Sequence, residues 1–265
     1  MKDKKIAILG CGNLGLSIVN GLLSEPSIKA SNLTVTRRKV ASLEALKSRG
    51  VCVLSDNAEA VKNADLVIVA LKPYNVIEVL EGLKSSFNPN KHIVVSLASG
   101  VGLKQLEKVL GEDIPIYRAM PNTGADVASS MTCISTHDKQ GENLKLVEEC
   151  FNTIGSTIVI DDALMDSATV LGACGIAYVL RFMRAMVQGG IEIGFDAKTA
   201  SNIVNQTVKG AAELLIQRKE HPEFEIDKVT TPKGCTIVGL NEMEHNGFSS
   251  ALIKGIVSSF EKIQK

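Results

Sequence analysis

The sequence predicts an α/β protein in two parts, a doubly wound parallel sheet over residues 1–161 followed by an all-helical region over 162–265. Three observations carry this. Short apolar runs alternate with segments of helical spacing through the first part. A glycine-rich turn joins the first strand to the first helix. Past Asp161 and Asp162 the strand pattern stops and long apolar helices take over. Strands alternating with helices imply parallel pairing through right-handed crossovers.

The elements follow in chain order. Lys5–Leu9 (KIAIL) is the first strand, and Leu14–Leu23 spaces its apolar residues as a helix. Leu33–Thr36 is a strand, Val40–Arg49 a helix and Val51–Leu54 a strand. Asp65–Ala70 (DLVIVA) and His92–Leu97 (HIVVSL) are nearly continuous apolar runs, as strands buried on both faces require. Ile114–Met120 is another strand; Ser130–Thr136, a helix and Ser156–Ile160 extend the sheet. In the second part Ala177–Ile193 and Ala197–Gln217 are long helix patterns, a further helix starts near Cys235, and Ser249–Ile263 closes the chain as an amphipathic helix. Apolar helices of this kind need a surface larger than one small bundle offers. A second copy would supply it, so a homodimer built on this half is expected.

Composition narrows the classes. Lys+Arg and Asp+Glu both number 29, so the formal charge is zero and the basic excess typical of nucleic-acid binding is missing. No apolar run of about eighteen residues that would cross a bilayer is evident, and no secretory h-region precedes the first strand; the chain reads as a cytoplasmic protein off the membrane. Cys11, Cys52, Cys133, Cys150, Cys174 and Cys235 are scattered, without C-x-x-C or a histidine at metal spacing, and read as reduced thiols with no metal site. Cys174 and Cys235 merit notice for their place in motifs described below. His92, His137, His221 and His245 fall at element ends or turns, and none is assigned to catalysis.

Gly10-Cys11-Gly12-Asn13-Leu14-Gly15 is G-x-G-x-x-G. The string alone is weak; directly after a strand and opening a helix, it marks a Rossmann-type dinucleotide-binding domain. Gly10 permits the tight turn, Gly12 lets the backbone approach a pyrophosphate, and Gly15 allows close helix–strand packing. The same residues without a nucleotide would be an ordinary glycine turn. At the end of the second strand an NAD site usually places an acid for the ribose 2′-hydroxyl. Here stand Thr36, Arg37 and Arg38. Guanidinium groups bind a 2′-phosphate through paired charge-assisted hydrogen bonds, so NADP(H) is expected over NAD(H). The alternative is a solvated basic turn.

With these residues in view, the chain resembles the pyrroline-5-carboxylate reductases over nearly its whole length. GCGNLG resembles the family's G-x-G-N-M-G, and Leu71-Lys72-Pro73 its V-K-P. Arg118-Ala119-Met120-Pro121-Asn122-Thr123 matches R-x-M-P-N-T, and Gly175–Val179 (GIAYV) resembles G-P-A-Y-V. Gln206–Gly210 matches Q-T-x-x-G, and Thr231-Pro232-Lys233-Gly234-Cys235-Thr236 with Gly247-Phe248 resembles S-P-G-G-T-T and its downstream G-F. The departures are Gly124 and Ile176 where the family has Pro, Ala173 and Cys174 within its S-G-S-G-P, Lys233 for the signature's first Gly, and Cys235 for a small residue.

The resemblance implies NADPH-dependent reduction of 1-pyrroline-5-carboxylate to L-proline. It implies that Asn57, Ala70, Leu71, Lys72 and Pro73 line the nucleotide, and that Ser96, Ala98, Ser99, Met120, Pro121 and Asn122 surround the nicotinamide. It rests the substrate carboxylate on Thr231 and the turn of Gly234, Cys235 and Thr236, with the Thr236 hydroxyl facing the ring nitrogen as the one catalytic group. It further implies a homodimer, with rings of dimers such as decamers formed in the family. Residue chemistry agrees at one point: Pro232 and Gly234 shape a turn, and a helix start beside it suits a carboxylate. Read alone, TPKGCT is equally a helix start with no ligand. Other readings are a reductase of a related cyclic imine, a non-catalytic NADPH-binding scaffold relative, and a 3-hydroxy-acid dehydrogenase. The last of these needs a lysine on the long helix, where this chain has Arg181 and Arg184.

Overall fold

The computed structural model describes every residue except Lys2, Lys139, Gln140 and Lys265. Its first part is an eight-stranded sheet in the order β3-β2-β1-β4-β5-β6-β7-β8. The strands are β1 (Ile6–Leu9), β2 (Leu33–Thr36), β3 (Cys52–Leu54), β4 (Leu66–Val69), β5 (Ile93–Ser96), β6 (Ile116–Met120), β7 (Ser130–Ser135) and β8 (Gly155–Val159). The expected α/β class holds, and the first six strands have the order of a dinucleotide-binding sheet. The chain reverses direction of travel across the sheet between β1 and β4, which opens a crevice beyond their carboxyl ends.

Pairing is parallel throughout except between β6 and β7, where Arg118 faces Ser135 and Met120 faces Cys133 in antiparallel register. This departs from the all-parallel expectation. Residues 121–129 hold one 3₁₀ turn, Thr123–Val127, and are too few for a crossover helix. The segment expected as one helix over Val40–Arg49 is instead a 3₁₀ turn, Val40–Leu43, running into α2 (Glu44–Lys47).

Alternation along each strand builds two cores. Ile6 and Ile8 pack under α1 (Asn13–Ser24) and α6 (Glu142–Asn152) with Ile18, Leu22, Val147 and Phe151. Ala7 and Leu9 face the other side, joined by Val76 and Leu80 of α4 (Pro73–Leu83) and Leu106 of α5 (Leu103–Leu110). A short helix, α3 (Asn57–Lys62), follows β3 and is capped by the Asp56 carboxylate, which accepts from the Ala58 N–H. Strands buried on both faces have no solvent side, which is why their sequences read as unbroken apolar runs.

From Asp162 to Glu192 the backbone is helical for 31 residues, through α7 (Met165–Ala168), a π-helical stretch (Thr169–Cys174) and α8 (Gly175–Glu192). Its most apolar eighteen-residue window has a mean hydropathy of 1.6 and is 17% buried. By length and composition alone it is a candidate span, so the expectation that no such run exists is corrected. The apolar residues are interleaved with Gly, Ser and Thr, which disguises the run by eye.

The chain forms two compact units, Met1–Ile176 with the chain end from Phe260, and Ala177–Ser259. The second holds most of α8, then α9 (Ala197–Arg218), α10 (Pro222–Val229), α11 (Cys235–His245) and the greater part of α12 (Phe248–Ile263). Inside it the Tyr178 hydroxyl donates to Ser259 Oγ at 2.7 Å, and the rings of Phe182 and Phe248 lie 6.1 Å apart. Few side chains here are buried, Ala200 and Val204 among them, while Val179, Leu180, Phe182, Ile191 and Ile203 are exposed.

Candidate active site

The glycine turn sits at the carboxyl end of β1, on the crevice. Gly10 has φ +87, and a Cβ there would strike the Leu71 side chain and the Ala70 carbonyl, so the turn accepts glycine alone. Gly12 is different: its φ is −87, and a Cβ would meet nothing within 4 Å. The space over Gly12 is open at the head of α1, whose first turn has no side-chain cap and no acid. Its unsatisfied N–H groups and positive dipole end suit a phosphate. Gly15 brings α1 onto β1, a Cβ there lying 3.3 Å from the Gly10 carbonyl oxygen. Asn13 and Leu14 open the helix. Cys11 is fully buried and its thiol is pushed up to about 11 by that burial, against the pull of the Arg37 charge, so it is packing rather than a nucleophile.

The neighbouring loops complete the cradle. The Gly10 N–H donates to Thr36 Oγ1 at 3.1 Å, and the Thr36 hydroxyl donates to Asn57 Oδ1 at 2.6 Å. The end of β2 is thus closed by neutral groups with no carboxylate. Arg37 and Arg38 follow it, exposed, and neither has an ion-pair partner among the described residues. The Ala70 N–H donates to the Leu9 carbonyl, bringing Ala70, Leu71 and Lys72 beside the glycine turn, and Pro73 starts α4. This neighbourhood fits a dinucleotide: an open glycine face, an uncapped helix start and two free guanidinium groups.

On the next strands, Ser96 ends β5 and its Oγ accepts weakly from the Ala98 N–H at 3.4 Å; Ser99 and Gly100 follow. Met120, Pro121 and Asn122 leave β6 buried. Asn122 is tied three ways: its N–H donates to Ser130 Oγ, its Oδ1 accepts from the Gly124 N–H, and its Nδ2 donates to the Gly172 carbonyl of the π-helical stretch. Arg118, four residues upstream of Asn122, is 4% exposed and meets Asp162 Oδ1 at 2.6 Å. The Ser135 hydroxyl donates to the same oxygen at 2.8 Å. Burial would raise the Asp162 carboxyl, but the hydrogen bonds from Arg118 and Ser135 and the Arg118 charge overcome it and hold it below the ordinary aspartate range. This pair was missed in the sequence except as a letter of a motif. Its signal was present: an arginine inside IYRAM, a buried strand, needs a partner.

In the second unit, Thr231-Pro232-Lys233-Gly234 is a tight turn closed by the Gly234 N–H donating to the Thr231 carbonyl at 2.9 Å. Proline second and a positive φ third (Lys233, +61) are the pattern of a type II turn, which favours glycine at that third position. A lysine there carries strain of roughly 1–2 kcal/mol. A Cβ at Gly234 would sit 2.6 Å from Thr231 Oγ1 and 3.0 Å from its carbonyl oxygen, so a larger residue would force the Thr231 side chain to move. Gly234 then heads α11 with no side-chain cap and no acid in the first turn, leaving the N–H groups of Cys235 and Thr236 open to an anion. The Thr236 hydroxyl has no partner among the described residues. Cys235 is exposed and Cys174 half-buried. The nucleotide candidates therefore gather in the first unit, and Thr231, Gly234, Cys235 and Thr236 in the second. None of the four histidines is among these residues: His221 caps α10, His137 meets Glu107 at 3.2 Å, His245 ends α11 and His92 precedes β5.

Residues 162–265 match the model for pyrroline-5-carboxylate reductase dimerisation, and residues 5–100 that for NADP oxidoreductase, coenzyme F420-dependent. Pyrroline-5-carboxylate reductase 2 of Dictyostelium discoideum is 42% identical over 99% of this chain and 93% of its own length. The chain belongs to the pyrroline-5-carboxylate reductase family. Reductase 1 of the same organism is 45% identical over 98% of this chain, which spans about half (49%) of that protein's length. The crystal structure of a Plasmodium falciparum pyrroline carboxylate reductase with NADP bound superposes with a TM-score of 0.89 at 26% identity, covering 99% of this chain and 98% of that one. Among the departures from the family pattern, Lys233 puts a side chain in a backbone conformation that suits glycine, and Gly124 supplies an N–H to Asn122 that a proline would lack.

Proposed function

We propose that this chain reduces 1-pyrroline-5-carboxylate to L-proline with NADPH. The observation that carries the reading is likeness to a reductase over 99% of this chain, with a dinucleotide turn kept open at Gly12. When bound, the nicotinamide supplies a hydride to the imine carbon. Everything else is placement. Gly10–Gly15 receive the pyrophosphate, with Asn57 and Ala70–Pro73 along the nucleotide. Ser96, Ala98, Ser99, Met120, Pro121 and Asn122 flank the ring. Thr231 and the Cys235 and Thr236 N–H groups hold the substrate carboxylate, and the Thr236 hydroxyl orients the ring nitrogen, which enters protonated. A cyclic iminium is already an electrophile, so no strong acid is required, and proximity is the main contribution. The deciding assay is NADPH oxidation with the five-membered imine acid, with proline as product. A six-membered imine acid, run beside it, tests the related-imine reading that strained Lys233 favours. No turnover of either, with NADPH bound, would leave the non-catalytic relative.

The preference for NADPH rests on Arg37 and Arg38, which stand free where NAD sites carry an acid. Arg37→Ala or Arg38→Ala should each cost about 1.5–3 kcal/mol of NADPH binding and little of NADH binding. Equal kcat/KM for both cofactors in the parent protein would refute the preference.

A homodimer is proposed through the helical half, residues 162–265, which match the dimerisation model, although the compact units divide between Ile176 and Ala177. Its support is the exposed apolar face of α8 and α9 and a groove of about 420 Å³ lined by Met186, Ile193, Phe195, Ile203 and Val204. The same cover accounts for the apolar run of Asp162–Glu192 without a membrane. Further assembly into rings of dimers is part of this proposal by family likeness. A stable, active monomer in sedimentation at low micromolar concentration would overturn it. Cytoplasmic location is proposed on the six unpaired cysteines.

A further inference from the structure

We infer that Asp162 is a positioning residue for hydride transfer, holding in fixed relation the two segments between which the nicotinamide lies. The inference rests on the reductase reading above for the placement of that ring.

Three elements converge on one carboxylate. From β6, Arg118 donates to Oδ1 at 2.6 Å; from β7, the Ser135 hydroxyl donates to the same oxygen at 2.8 Å. From the first turn of α5, the Leu103 N–H points at Oδ2 at 3.4 Å. A negative charge at a helix start is favoured there in its own right. The ties matter because of what they continue into. Strand β6 runs from Arg118 directly to Met120, Pro121 and Asn122. The loop from Ser96 through Ser99 ends at Leu103, and Ser96 is the register partner of Arg118. These are the two ring-lining segments, and Asp162 contacts an anchor of each.

A pair serving stability alone has simpler solutions. Arg118 is buried and the Asp162 side chain is 32% exposed, and even a fully buried ion pair is weak evidence of a stabilising role, since apolar side chains often replace one without loss. Here the carboxylate is shared among an arginine, a hydroxyl and a backbone N–H, an arrangement that fixes spacing. Asn122 provides a second tie from the same strand exit to the same helical run, through the Gly172 carbonyl.

The test separates the nicotinamide end of the site from the adenosine end. Asp162→Asn keeps the size and removes the charge. NADPH and 2′,5′-ADP dissociation constants are measured on the full chain, together with kcat and KM for the imine acid. The expected result is NADPH binding weakened about fivefold or more, 2′,5′-ADP binding within about twofold, and kcat lowered about tenfold, since small misplacements cost rate steeply. Loss of both ligands together, or of neither, in folded Asp162→Asn would overturn the inference. Should that variant fail to fold, with Arg118 left buried and unpaired, Ser135→Ala removes one tie and leaves the charge pair in place. It should weaken NADPH two- to threefold with 2′,5′-ADP unchanged, as the loss of one modest hydrogen bond predicts. An unchanged ratio of the two ligands in Ser135→Ala would equally overturn the role. If the parent binds NADPH and reduces no imine, the reaction reading fails while the ligand comparison still decides what Asp162 does.

Discussion

Gly12→Asp should leave the fold intact and abolish NADPH binding. The backbone at Gly12 has φ −87 and ψ −156, an extended conformation open to any L residue, and an added Cβ meets nothing within 4 Å. Gly12 is also the N-cap of α1, whose first turn has no side-chain acceptor. Aspartate is among the best N-caps, and against glycine it is worth a few tenths of a kcal/mol, so the melting temperature should hold or rise. The new carboxylate would stand where the helix offers its N–H groups to a pyrophosphate, filling the space and repelling the charge. Like charges placed together cost several kcal/mol, so affinity should fall at least about a hundredfold, roughly 2.7 kcal/mol. Titration of NADPH beside a thermal melt decides it. A folded variant binding NADPH within about threefold of the parent would show that the open face at Gly12 is not the phosphate site.

The sheet was legible in the sequence because its strands are buried on both faces, so their apolar runs stand out without knowledge of partners. What the runs do not encode is direction. Between Met120 and Ser130 the sequence has strand, short polar segment and strand, as in a tight βα unit; only the lack of room for a crossover makes β7 antiparallel. Helix α10 escaped notice for a related reason. Its eight residues carry Glu223, Glu225, Asp227 and Lys228, its cap is His221, and apolar periodicity is too short to register. Val40–Lys47 read as one helix because spacing alone does not separate a 3₁₀ turn from an α-turn over so few residues.

At the candidate site, chemistry that lives in one loop was readable and chemistry that joins distant segments was not. The glycine turn and the arginines after β2 announce themselves by local spacing. Asp162 carries no such signal: its partners Arg118, Ser135 and Leu103 lie 44, 27 and 59 residues away, and only the fold assembles them. Lys233 shows the opposite case. As a residue type it stood out against the family pattern, but its significance comes from the backbone, where φ +61 marks a site suited to glycine.

Thr236→Val should lower kcat by about ten- to a hundredfold while KM changes less. Thr236 lies in the first turn of α11, half-buried, and its hydroxyl has no partner among the described residues. Removing that hydroxyl therefore breaks no bond to a described residue, and valine keeps the branched shape with a similar helix preference. The melting temperature should stay within a degree or two, as for substitutions that remove no internal contact. In the proposed reaction the hydroxyl accepts from the protonated ring nitrogen and sets the angle at which the neighbouring carbon meets the hydride, so its loss falls on the reactive pose. Small misplacements of the reacting atoms cost rate steeply, up to about a hundredfold, which sets the expected fall. The carboxylate contacts come from the Thr231 side chain and the N–H groups of Cys235 and Thr236, all of which survive, so ground-state binding should be largely kept. NADPH affinity should not move, since Thr236 is not among the residues proposed to hold the nucleotide. A turn that only starts a helix makes the contrary forecast, a change in stability at most and unchanged kinetics in the folded fraction. Steady-state kinetics of Thr236→Val with a melt on the same sample separate the two. Unaltered kcat and KM would remove Thr236 from the site and leave TPKGCT as the start of α11.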